Sequence, residues 1–88
     1  MRITWDESKR LSNLDKHGLD FGDLTEEFFE SAVIYPARRG RLRAIGNLNR
    51  EPPWTVIFSV LGSEAVSAVS MRYASRKERD DARKKASE

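Results

Sequence analysis

The order of periodicities along this chain predicts an α+β fold with a short N-terminal strand, a two-helix hairpin, a four-stranded antiparallel sheet and a C-terminal helix. Three observations carry that expectation. Apolar residues recur at helical spacing up to residue 28, first Leu11 and Leu14, then Phe21, Leu24 and Phe28. From Ala32 onward the period becomes two, and turn residues such as Pro36, Pro52, Pro53 and Gly62 divide the chain into strand-length pieces. Ser75 and Glu78 then stand at capping-box spacing before a highly charged tail. At 88 residues the whole chain, 1–88, reads as a single domain, near the lower size at which one core folds without staples.

The first strand rests on the alternation of Ile3 and Trp5 with Arg2 and Thr4, and suits an edge or added strand. Asp6 is a good N-cap for the first helix and Glu7 adds negative charge at the positive helix end. Gly18 supplies the stop, with Lys16 and His17 at the negative end. Leu11, Leu14 and Gly18 are expected to face the core, while Lys9, Asn13 and Lys16 or His17 form a separate polar stripe. An asparagine in mid-helix is mildly unfavourable, so Asn13 invites a reason beyond propensity. A second helix is predicted over residues 22–30, started by Asp20 or Asp23 and packed against the first.

Residues 32–35 read as a strand ended by Pro36, and 37–41 as a basic turn. The next strand, 42–48, places Leu42, Ala44 and Gly46 on one face and Arg41, Arg43 and Ile45 on the other. Residues 54–61 are the most apolar strand and should be central, with Gly62 and Ser63 forming a two-residue hairpin loop. On the last strand, 65–72, strict alternation would put Val66, Ala68, Ser70 and Arg72 together and Ser67, Val69, Met71 and Tyr73 opposite. The final helix, 76–85, has only Ala82 and Ala86 as apolar anchors, so a fraying tail and a basic docking helix are equally good readings.

Cysteine is absent and there is one histidine, so neither disulfides nor a metal-ligand spacing are available; no metal and no cofactor are expected. The start lacks the apolar run of a signal peptide and no stretch has membrane-spanning length, which makes a cytoplasmic protein without membrane contact the expectation. The net charge of +2 is polarised: residues 1–30 carry four Lys or Arg against eight Asp or Glu, whereas 31–88 carry twelve against six. Such asymmetry suits a polyanion partner for the later half.

Trp5, Asp6, Lys9, Asn13, Lys16, His17, Gly18 and Phe21 match W-D-x-x-K-x-x-x-N-x-x-K-H-G-x-x-F, which resembles the opening of BrnT-family toxins, relatives of the RelE and ParE toxins. A second block, Ser70, Arg72, Ala74, Glu78 and Arg79, is similar to the family's S-A-R-x-A-x-x-x-E-R signature, with Met71 in place of its alanine. Arg43, Ile45 and Gly46 add an R-x-I-G match. The resemblance implies a RelE-like fold and the toxin of a type II toxin–antitoxin system that cleaves RNA without metal and inhibits translation. It further implies neutralisation by a ribbon-helix-helix antitoxin of the BrnA kind, with operator DNA met only through that complex.

The matched residues have the chemistry that RNA cleavage requires: a base for the 2′-hydroxyl, an acid for the leaving 5′-oxygen and cations around phosphorus. His17 is the natural proton-transfer group, with Lys16 as electrostatic partner or alternative acid. Arg43 and Arg72 can fork onto phosphate oxygens. Arg76 extends that cradle, and Arg38, Arg39, Arg41 and Arg50 are candidates for tracking the RNA backbone. Two departures stand against this. Ser67 occupies a position that commonly carries arginine in the family, and the hairpin of Leu61, Gly62, Ser63 and Glu64 lacks its usual basic residues. A non-catalytic module of the same fold that binds nucleic acid or protein is therefore the alternative, and poisoning of a topoisomerase ranks third.

Overall fold

The computed structural model describes residues 1–88 and runs β1 (Arg2–Trp5), α1 (Glu7–His17), α2 (Glu26–Ser31), β2 (Val33–Pro36), β3 (Leu42–Gly46), β4 (Trp54–Leu61), β5 (Ala65–Tyr73) and α3 (Arg76–Ala86). Single 3-10 turns lie at Phe21–Asp23 and Arg38–Gly40. The sheet order is β1-β5-β4-β3-β2. The four later strands pair antiparallel as expected, but β1 joins in parallel beside β5, so the sheet is five-stranded and mixed rather than a four-stranded antiparallel one. A parallel neighbour needs a long crossover, and everything from α1 to β4 intervenes between β1 and β5.

Each sheet face carries a packed apolar layer. One carries Ala44, Val56, Phe58, Val66, Ala68 and Met71 against Leu19, Phe21, Leu24 and Phe28, which is the main core. On the other face Ile45 and Ala74 pack against Ala82 of α3, flanked by Val33, Tyr35 and Leu48. The β3 alternation is as the sequence predicts, with Ala44 and Ile45 in opposite layers. α3 is anchored, not frayed: Ala82 is fully buried, Ala86 is exposed, and Arg79 and Arg83 both reach Glu51. No helix is long and apolar enough to cross a membrane.

Four local expectations change. Leu11 and Leu14 are 52% and 38% exposed, while Asn13 is the buried residue of α1. The stretch 22–30 is not one helix: Asp20 caps the short turn, the chain extends through Leu24 and Thr25, and Thr25 caps α2 through the Phe28 amide. The turn lets Phe21, Leu24 and Phe28 all enter the core without a continuous helix; burying each contributes roughly 2 kcal/mol. The β4–β5 hairpin closes at the Leu61–Ala65 pair, so its loop is three residues with Gly62 left-handed at φ 62.

The fourth change matters most for the site. A register shift beside Ile57 and Phe58 pairs Phe58 with Ala68 but Ile57 with Ser70, leaving Val69 as an extra residue in β5. Such a bulge inverts the alternation beyond it. Met71 therefore joins Val66 and Ala68 in the main core, and Ser70 and Arg72 turn to the opposite face.

Candidate active site

Two four-residue rungs cross the face that carries α3. Tyr35, Arg43, Ile57 and Ser70 oppose one another in one, and Val33, Ile45, Thr55 and Arg72 in the next. α3 covers the second rung through Ala82 and Glu78. The first rung stays open as the floor of a cleft, and strand spacing puts Ser70 and Arg43 about 10 Å apart across it.

At the Ser70 end stands α1. Its cap is the one predicted: Asp6 accepts from the Ser8 amide at 2.9 Å, and Gly18 closes the helix at φ 70 with its amide on the Leu14 carbonyl at 2.8 Å. The helix lies along the edge of β5 beyond the end of β1, and Asn13 holds it there. The Asn13 Oδ1 accepts from the Met71 amide at 2.9 Å, and its Nδ2 donates to the Met71 carbonyl at 2.9 Å and the Leu19 carbonyl at 3.1 Å. Lys9, Ser12, Lys16 and His17 then line a hollow of about 250 Å³ whose far wall is Val69 and Ser70. The ion pairs of α1 are made by Arg10, with Glu7 and Asp20, which leaves both lysines to the hollow. Trp5 packs edge-on against Phe21 at 6.3 Å and lies half-buried against the main core.

At the other end a larger hollow, about 520 Å³, is lined by Arg38, Arg39, Arg41, Arg43, Arg72 and Ile57. Ile57 and Ser70 are paired, so the two hollows adjoin along one rung. The β2–β3 connection presents its arginines by a sharp reversal in which Arg39 takes a left-handed conformation (φ 60, ψ 36), followed by Gly40 at φ 72. Lys16 and His17 thus line one hollow and Arg43 and Arg72 the adjoining one, with Arg38, Arg39 and Arg41 continuing the second. Arg50 does not join them: it lies in the 47–53 turn beside Ser31 and Leu48. Arg76 is exposed on the first turn of α3 and lines none of these hollows.

Behind the arginines lies a residue whose role sequence reasoning limited to the helix cap. Glu78 completes the capping box with Ser75, as its spacing predicts. Its carboxylate also receives Arg72 Nη1 at 2.7 Å and Nη2 at 3.0 Å, Arg43 Nη1 at 3.1 Å and the Thr55 hydroxyl at 3.1 Å. Burial pushes this carboxyl up, but the Arg72 hydrogen bond, the Ser75 amide, the Arg72 charge and the Thr55 hydroxyl outweigh it and hold the group at about 2. Arg43 also lies over the Tyr35 ring at 5.1 Å, a cation–π contact. The signals in the sequence were the Ser75–Glu78 spacing, which the capping box explains, and the shared place of Arg72 and Glu78 in the matched S-A-R-x-A-x-x-x-E-R block. Nowhere do three or more His, Asp or Glu side chains come together in a way that could hold a metal ion.

Comparisons with known proteins found a family and a solved structure to which the chain is similar. Residues 5–78 match the family model for the ribonuclease toxin BrnT of type II toxin–antitoxin systems, a span that includes α1, the whole cleft and Glu78. No curated protein matches the chain. Among solved structures, the crystal structure of the Brucella abortus ribonuclease toxin BrnT is similar over 86% of this chain and 99% of that one, at 54% identity and a TM-score of 0.79. The chain belongs to the BrnT family, the ribonuclease toxins of type II toxin–antitoxin systems.

Proposed function

We propose that this chain is a metal-independent endoribonuclease that cleaves RNA in the cleft between α1 and the arginine-bearing strands, and so inhibits translation. The observation that carries the reading is the pairing of Ser70, in the hollow lined by Lys16 and His17, with Ile57, in the hollow lined by Arg43 and Arg72. His17 takes the proton of a ribose 2′-hydroxyl, whose oxygen bonds to the adjacent phosphorus while the bond from phosphorus to the 5′-oxygen breaks. Lys16 gives a proton to that leaving oxygen. The products are a 2′,3′-cyclic phosphate and a 5′-hydroxyl, and the chemistry draws on no metal. Arg72 and Arg43 hold the charge on the phosphoryl oxygens, and Arg38, Arg39 and Arg41 track the chain beyond it. Membership of a two-component toxin–antitoxin family supports a cognate antitoxin as protein partner. By the family resemblance, that antitoxin is a ribbon-helix-helix protein whose complex meets operator DNA, the fold is of the RelE kind, and the setting is the cytoplasm.

The test is end-labelled RNA incubated with the chain in excess chelator, beside His17→Ala. Cleavage that is lost in the variant and leaves cyclic phosphate ends is the expected result. Intact RNA with folded protein and retained, salt-sensitive binding would favour the second reading, a non-catalytic RNA-binding module. That reading draws on Ser67, which lies on the Arg72 face where relatives carry a further cation, and on the engagement of Arg72 and Arg43 by Glu78.

A further inference from the structure

The geometry points to Glu78 as the positioning residue of the cleft, fixing the Arg72 guanidinium so that one edge of it is held ready for a phosphate. This inference rests on the ribonuclease reading above and adds to it the group that orients its principal cation. A guanidinium has two edges that can each present a pair of parallel donors, one made by Nη1 and Nη2 and the other by Nη2 and Nε. Glu78 takes the first edge, at 2.7 and 3.0 Å, and the remaining Nη1 hydrogen goes to the Tyr73 carbonyl at 3.3 Å. Nε and the second hydrogen of Nη2 have no partner in the chain, and the side chain is 40% exposed and lines the larger hollow. Arg72 therefore keeps a complete fork while losing the freedom to swing.

The carboxylate is itself immobile. Its side chain is 10% exposed, and it is tied to β3 by Arg43, to β4 by Thr55 and to its own helix start by the Ser75 amide at 2.9 Å. A long, flexible arginine loses rotamer entropy when it grips a phosphate; here that loss is taken at folding. The ion pair also leaves the cluster of Arg43, Arg72 and Glu78 with one net positive charge, so the fork offers orientation more than charge.

The test follows the 15N-labelled Arg72 Nε–H signal by NMR in the full chain, assigned with Arg72→Lys, alongside steady-state cleavage of a short RNA. In the native chain the signal should be dispersed and slow to exchange, and should move when a non-cleavable 2′-deoxy oligonucleotide of the same length is added. In Glu78→Gln it should collapse toward the position of a free arginine, with kcat falling at least tenfold and KM changing less than threefold. Ser75→Ala removes the other half of the capping box without touching the arginines, and should keep both the signal and kcat. An Arg72 signal that is already averaged in the native chain, or unmoved by the oligonucleotide, overturns the inference. Equal loss of kcat in Ser75→Ala and Glu78→Gln also overturns it, because Glu78 would then act only as a cap. A native chain that shifts the signal yet cleaves no RNA supports the positioning and removes the ribonuclease reading instead.

Discussion

Asn13 and Met71 pair as two strand residues would, although one of them is in a helix. The Asn13 side-chain amide accepts from the Met71 N–H and donates to the Met71 C=O, both at 2.9 Å, 58 residues apart in the chain. β1 covers β5 only as far as Ala68, so the edge beyond it would otherwise present unpaired backbone groups. A side-chain amide has the same donor and acceptor as a peptide group, which is why asparagine can continue the ladder from a helix. The pairing also fixes how far α1, and with it Lys16 and His17, stands from Ser70.

Asn13→Ala should leave the Met71 amide and carbonyl and the Leu19 carbonyl without their partner. An unsatisfied buried group costs about 1–3 kcal/mol, and partial entry of water should hold the total near about 3 kcal/mol. Urea unfolding of the variant measures it directly. A loss below about 0.5 kcal/mol would show that water replaces the side chain at no cost.

Acid should weaken the fold through Glu78. Its carboxyl lies at about 2 in the folded chain against an ordinary 4.5, so the stabilisation is complete above that ordinary value and is lost as pH falls toward 2. Allowing for partial solvent screening, the contribution is about 2 kcal/mol. The carboxyls of Asp6, Glu7 and Asp20 are also held low and act in the same direction, so the native chain alone does not isolate the effect. The gap in urea midpoint between the native chain and Glu78→Gln should narrow from pH 6 to pH 3. A gap that stays constant over this range would assign the stabilisation to packing.

The arginines should divide by position. Arg38→Ala, Arg39→Ala and Arg41→Ala should each weaken binding of single-stranded RNA and reduce the slope of log K against log salt by about 0.7. Arg50→Ala should leave that slope unchanged, since Arg50 lies at the Ser31–Leu48 hollow instead of the cleft. Fluorescence anisotropy across a salt series separates the two groups, and an equal effect from Arg50 would place the RNA on a different surface.

Gly46→Ala should destabilise the core. A Cβ at Gly46 would stand 2.7 Å from one carbon of the Phe28 ring and 3.0 and 3.1 Å from two others. That ring is pinned by Phe29 at 5.1 Å and Trp54 at 5.8 Å between centroids. Overpacking of this kind costs about 1–3 kcal/mol, a fall of roughly 10 °C in Tm for a chain of this size. Thermal unfolding followed by circular dichroism reads it, and an unchanged Tm would mean that the ring has room to swing aside.

The sequence by itself determined whatever depends on residues a turn or two apart. The Asp6, Gly18 and Ser75 caps, the opposite facing of Ala44 and Ile45, and the four later strands are all legible from neighbouring side chains, because capping and pleating are local. Lys16, His17, Arg43 and Arg72 were legible as candidates through their match to a family pattern. Only the tertiary structure decided their arrangement. The extra residue at Val69 reverses the last four residues of β5, and strict period-two counting assumes that no such bulge exists. α1 needs no apolar stripe, because it is held at a sheet edge by an amide, so Leu11 and Leu14 stay exposed and Asn13 is buried. Glu78 looked complete as a helix cap, and its second role depends on Arg43, Thr55 and Arg72 arriving from three strands. A buried carboxylate is stable only where such partners converge, and convergence across strands leaves no local spacing to read.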